Sequence, residues 1–80
     1  MLTTWLSAAM RRAQYEIMED NEGYFGRIEG LQGVIAHDTN LESCRQQLKE
    51  VLEEWLLLGL RLNHSIPVLD DIDLNSQAVA

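Results

Sequence analysis

"NLESCRQQLKEVLEEWLLLGLRLN", residues 40–63, is the stretch whose reading decides the fold. Leu41, Cys44, Leu48, Val51, Leu52, Trp55 and Leu62 recur at steps of three and four, which gathers them onto one stripe of an α-helix. Gln46, Lys49, Glu50 and Glu53 supply a polar face in its first half. Two start signals precede it. Thr39 with Glu42 makes a Thr-x-x-Glu capping box, and Asn40 offers a cap one residue later. Asn63 tolerates left-handed backbone at the far end, and Pro67 forbids any continuation.

The second half of this helix breaks its own pattern. At about 100° per residue, Leu57 lands nearly opposite the core stripe and Leu60 joins it one turn later. One helix on one sheet cannot bury both faces of "WLLLGLRL", residues 55–62. Cover for Leu57 and Leu60 is expected either from an N-terminal helix, through Trp5 and Leu6, or from a second chain. Trp5, Leu6, Leu57 and Leu60 are therefore the candidate interface residues for self-association or for a partner.

Working upstream, the spacing predicts a short helix over Thr3–Ala13, capped by Thr3 or Thr4, with Leu6, Ala9, Met10 and Ala13 on its apolar stripe. Residues 14–31, "QYEIMEDNEGYFGRIEGL", alternate as half-buried strands do. Asp20–Gly23 is turn chemistry, so a hairpin is expected there, and Gly26 inside its second strand marks a bulge or a close approach by another element. A third strand follows in "GVIAH", residues 33–37. Downstream of the long helix, "IPVLD", residues 66–70, reads as a short edge strand, and the remainder as a mobile acidic tail. The expected fold class is α+β: a short N-terminal helix, then a β-β-β-α-β core with one long helix packed on a small antiparallel sheet. The expected organisation is a helix over 1–13, an α+β domain over 14–69 and a tail over 70–80.

Eighty residues with 46% hydrophobic and 24% charged side chains describe one small globular domain. A chain this short buries too little surface to be comfortably stable alone, and its single cysteine, Cys44, excludes an internal disulfide. Both facts point to oligomerisation and to a cytoplasmic setting. Arg11 and Arg12 follow the apolar N-terminal run instead of preceding it, the reverse of a secretory signal, and no run is long enough to span a membrane. The formal charge of −7 disfavours nucleic-acid binding by this chain alone and suits a basic partner.

Candidate chemistry is sparse. His37, Asp38 and Cys44 carry the residue types of a thiol-nucleophile set, but Cys44 falls on the apolar stripe, where it acts as a small hydrophobe. His37, Cys44 and His64 lack the paired short spacings of a zinc site. Glu16, Glu19, Asp20 and Glu22 could hold a divalent ion in a residual nuclease, yet they crowd a hairpin tip. Gly23, Gly26, Gly30 and Gly33 lack the lysine and the Ser/Thr spacing of a phosphate loop. No catalytic residue, cofactor or metal is expected.

The turn at Glu29–Gly30, the strand into Asp38, the Thr39/Asn40 cap, Leu41-Glu42, the Leu- and Glu-rich helix and the closing "IPV" together resemble the HicB-like antitoxin family, over roughly Ala13 to Leu69. That resemblance implies a truncated ribonuclease H-like fold without a working active site. It also implies a homo-oligomer, dimeric or higher, that neutralises a small RNA-cleaving HicA-type toxin by binding it. Two departures stand out. Only a short acidic stretch follows Leu69, where many members carry a DNA-binding module, and the usual Gly-Asp-Thr is here His37-Asp38-Thr39. The expectation is thus a non-catalytic antitoxin of a type II pair. An orphan oligomeric interaction module and a residual metal-dependent nuclease are the alternatives.

Overall fold

A computed structural model describes residues 2–75. In chain order it contains α1 (Leu2–Arg11), β1 (Ala13–Ile17), a 3-10 turn (Glu19–Asn21), β2 (Tyr24–Ile28), β3 (Ile35–Asp38) and α2 (Leu41–Arg61). The strands form one antiparallel sheet in the order β1-β2-β3, so the expected α+β architecture is the one found.

The two start signals of α2 resolve in favour of Asn40. Its side chain accepts from the Ser43 N–H at 3.0 Å. Asp38 sets this up, since its Oδ1 accepts from the Asn40 N–H at 3.2 Å and holds the chain in the turn that enters the helix. At the other end Asn63 does adopt left-handed backbone, with φ 59°. The His64 N–H donates to the Gly59 carbonyl at 2.8 Å and the Asn63 N–H to the Leu60 carbonyl at 3.2 Å, the paired bonds of a Schellman stop.

α2 lies over β3 and β2, and β1 forms the margin of the sheet. Cys44, Leu48, Leu52 and Leu56 face down from the helix; Ile28, Val34 and Ala36 face up to meet them. Gly26 is the close-approach site that its position suggested. In the register it sits between Tyr15 and Ala36, and a Cβ there would lie 3.0 Å from the Tyr15 ring and 3.3 Å from Cys44 Sγ. A methyl group at position 26 would therefore require the Tyr15 ring and Cys44 to give by a few tenths of an ångström.

α1 is present but rotated relative to its expected stripe. Thr3 and Thr4 lie inside the first turn, and the buried positions are Trp5, Ala8 and Ala9, with Leu6 and Met10 only half-buried. Trp5 explains the rotation. Its ring stacks on Trp55 with centroids 6.3 Å apart and planes 7° from parallel, and its indole N–H donates to the Pro67 carbonyl at 2.9 Å. Burying the largest side chain with its one polar atom satisfied outweighs a stripe of smaller ones.

Residues 66–75 correct the expectation of a strand followed by a mobile tail. The only strand-like pairing found there, among the described residues, is a single antiparallel bridge, Leu69–Ile72. Ile66, Leu69 and Leu74 are nonetheless buried in the core. Asn75 takes the place of a strand partner: its Oδ1 accepts from the Ile66 N–H at 2.8 Å and its Nδ2 donates to the Ile66 carbonyl at 2.6 Å. The expected mobile tail also covered residues 76–80, which lie outside the described residues.

Asp70 ties this returning segment to the end of α1. Arg11 Nη2 reaches its Oδ2 at 2.8 Å and Arg12 Nη2 its Oδ1 at 3.0 Å. Those two hydrogen bonds hold the Asp70 carboxyl below its ordinary value of 3.8. A depressed carboxylate stabilises the fold fully above the unfolded value and ceases to do so as pH falls through the folded one. Asp70→Asn is therefore expected to lower the urea midpoint at neutral pH and to leave it unchanged in strong acid. The difference should shrink with added salt, because the clamp is open to solvent.

Candidate functional site

The structure separates the residues of the thiol-nucleophile arrangement. Ala36 faces the core and His37, one residue on, faces the outer side of the sheet. His37 Nε2 lies 2.9 Å from the Glu22 carbonyl and ties β3 to the hairpin turn. Cys44 is fully buried, and its Sγ donates weakly to the Tyr24 and Ala36 carbonyls at 3.6 and 3.8 Å. Burial first, and then the nearby Asp38 charge, push the thiol pKa up. A buried thiol held protonated is a packing group, with neither the exposure nor the thiolate character of a nucleophile.

The acidic hairpin tip does not converge either. Glu16 lies 3.9 Å from Arg27, and Glu19 and Asp20 belong to the 3-10 turn, where Asp20 itself has left-handed backbone. Among the described residues, no three or more His, Cys, Asp or Glu side chains gather where a single ion would reach them.

The four candidate interface residues divide. Trp5 belongs to the chain's own core, and Leu60 is half-buried against it, so for these two the cover comes from within the chain, one of the two expected sources. The stack on Trp55 and the Pro67 carbonyl satisfy Trp5 completely within the chain. Leu57 remains 65% exposed, and Leu6 lines a groove. That groove, of about 420 Å³, runs between α1 and the first half of α2. Leu6 and Met10 face Arg45, Lys49 and Glu53 across it. A second recess, of about 340 Å³, is lined by Glu50, Glu53, Glu54 and Leu57. Glu53 borders both, so the groove and the recess form one continuous face of α2.

This face is amphipathic: Leu57 stands exposed at the end of a row of glutamates, Glu50, Glu53 and Glu54, which precede it by one and two turns. Helical periodicity places Leu57 there, and the polar face upstream supplies the row. Two further leucines were hidden from the periodicity. Leu62 falls on the core stripe by spacing but is 53% exposed, because it caps α2 beyond the last packed turn; Leu58 is 54% exposed. Their four-residue spacing, alongside Glu54, was the available signal.

No helix among the described residues is long and apolar enough to cross a membrane. The sequence matches a family described as UPF0150-like over residues 4–67. A solved structure, the crystal structure of TTHA0281 from Thermus thermophilus, is 40% identical in sequence with a TM-score of 0.85; the match covers 91% of this chain and 96% of that one. No curated protein matches.

Proposed function

We propose a function from a plain premise: this chain belongs to the UPF0150-like family. Within that family it acts as a HicB-like antitoxin, a protein of the cytoplasm with no catalytic activity of its own, that neutralises a small, basic, RNA-cleaving HicA-type toxin by covering it. The observation that carries this reading is Leu57, exposed at 65% at the end of the row Glu50, Glu53 and Glu54 on α2. An exposed apolar side chain beside a charged row offers a partner an apolar contact together with charge complementarity, once that partner excludes water from it. The formal charge of −7 supplies long-range attraction to a basic protein, and the glutamate row supplies local complementarity.

Co-expression with a small basic protein encoded beside this chain, followed by co-purification and an RNA-cleavage assay, tests the reading. A stable complex with suppressed cleavage is expected. Leu57→Lys should weaken that complex at least tenfold, about 1.4 kcal/mol, without altering the fold, since the side chain already stands in solvent. Full affinity in Leu57→Lys would move the binding face elsewhere. Failure of any neighbouring basic protein to bind would overturn the antitoxin assignment and leave the family membership intact.

A further inference from the structure

The sheet has two edges, and the chain treats them differently. At one end of the β1–β2 pair the Met18 N–H donates to the Gly23 carbonyl at 2.8 Å; at the other the Glu29 N–H donates to the Arg12 carbonyl at 3.5 Å. These two bonds fix the phase of β1. Its even-numbered residues direct their backbone groups at β2, and Ala13, Tyr15 and Ile17 direct theirs away from the sheet. The same phase, carried across the β2–β3 register, leaves Ile35 and His37 facing outward on β3. There the His37 N–H is taken by Gln47 Oε1 at 3.0 Å, so α2 blocks that edge with a side chain.

The β1 edge, among the described residues, has no such cover. Among the described residues, no loop or side chain donates to or accepts from the outward backbone groups of Ala13, Tyr15 and Ile17. Edge strands are ordinarily defended by shortness, charged side chains (lysine above all), proline, a bulge or a covering segment. β1 is short and carries Glu16 as its one charge, but it has neither lysine nor proline and its register is unbroken. Ile17, on the same face as Tyr15, is 78% exposed, the highest value of any large hydrophobic residue described.

We infer that β1 pairs with β1 of a second copy of this chain, antiparallel about a two-fold axis at Tyr15, joining two three-stranded sheets into one of six strands. In this register Tyr15 meets Tyr15, and Ala13 meets Ile17 of the second copy, so every outward backbone group of the strand finds a partner. A small side chain then receives the exposed isoleucine. On the opposite face Gln14 meets Glu16, whereas a slip that moved the axis to Glu16 would set two glutamates against each other.

Light scattering after size exclusion, over a wide concentration range, is the first test. The wild-type chain is expected at twice its monomer mass. Ile17→Pro is expected at the monomer mass, because proline removes an outward N–H that no bond within the chain uses. Leu57→Lys should remain dimeric, which separates this surface from the toxin-binding face. A dimer that survives Ile17→Pro overturns the inference, as does a wild-type monomer at every concentration, which would leave the edge to a strand from another protein. Amide exchange on the wild-type protein provides a second readout that needs no variant. Slow exchange at all of Ala13, Gln14, Tyr15, Glu16 and Ile17 is expected. Slow exchange at Gln14 and Glu16 alone overturns the pairing.

Discussion

Trp5→Ala is expected to destabilise the fold by about 3–5 kcal/mol, the range for deleting a fully buried large aromatic. At about 0.05–0.15 kcal/mol per residue, a chain of this length has only about 4–12 kcal/mol in total. The variant therefore stands near the limit of folding. Three losses combine. The ring leaves a cavity between α1 and α2, Trp55 loses its stacking partner, and the Pro67 carbonyl loses its donor. Trp5→Phe separates them, since it keeps an aromatic ring on Trp55 and removes only the N–H and part of the volume. Its cost should be markedly smaller, with the unpaired carbonyl contributing about 1–3 kcal/mol. Urea unfolding followed by far-UV circular dichroism gives both values. Equal costs for the two variants would mean that the hydrogen bond, not the packing, anchors α1.

Gly23→Ala is the second large effect. The residue has φ +108°, a region that side-chain-bearing residues rarely adopt, and a Cβ there would lie 2.7 Å from Thr39 Cα and closer still to the Asp38 carbonyl oxygen. Both obstacles are backbone, so no rotamer change relieves them. Strain of about 1–3 kcal/mol and overpacking of about 1–3 kcal/mol add in the same direction. The damage should extend beyond the hairpin, because Asp38 and Thr39 lead directly into the Asn40 cap of α2. Gly30→Ala is the control: its φ is also positive, at +86°, but a Cβ there meets nothing within 4 Å. Only the strain should remain, and a Gly23→Ala cost no larger than that of Gly30→Ala would discount the clash.

The parts of this fold that were legible in the sequence are those governed by local chemistry. The long helix lies within one or two residues of its expected bounds, because periodicity, an Asn cap and a left-handed Asn stop all act over a few residues. The hairpin and the close approach at Gly26 were legible for the same reason. What escaped was set by partners distant in sequence. The facing of α1 depends on Trp55 and Pro67, and neither can be read from the helix itself. The return of residues 66–75 depends on one amide, Asn75, reaching back nine positions to both backbone groups of Ile66. A strand was expected there because Pro67 ends the helix and the run around it is apolar, but the Asn75 side chain rather than a ladder satisfies the Ile66 backbone. The candidate binding face was half legible. Leu57 stood out against its helix, whereas for Trp5 and Leu60 the pattern left open whether the covering surface came from the N-terminal helix or from a second chain.

The stacked indoles also give this chain an internal optical reporter. Trp5 and Trp55 are its two tryptophans, and both sit in one contact between α1 and α2. Because both rings share this one contact, tryptophan emission and the near-ultraviolet circular dichroism of the indoles report on a single event, the docking of α1. The sheet reports in that range chiefly through its tyrosines, Tyr15 and Tyr24. A loss of tryptophan signal that precedes the loss of helical ellipticity would therefore identify α1 as the first element to leave the folded body, with no label attached.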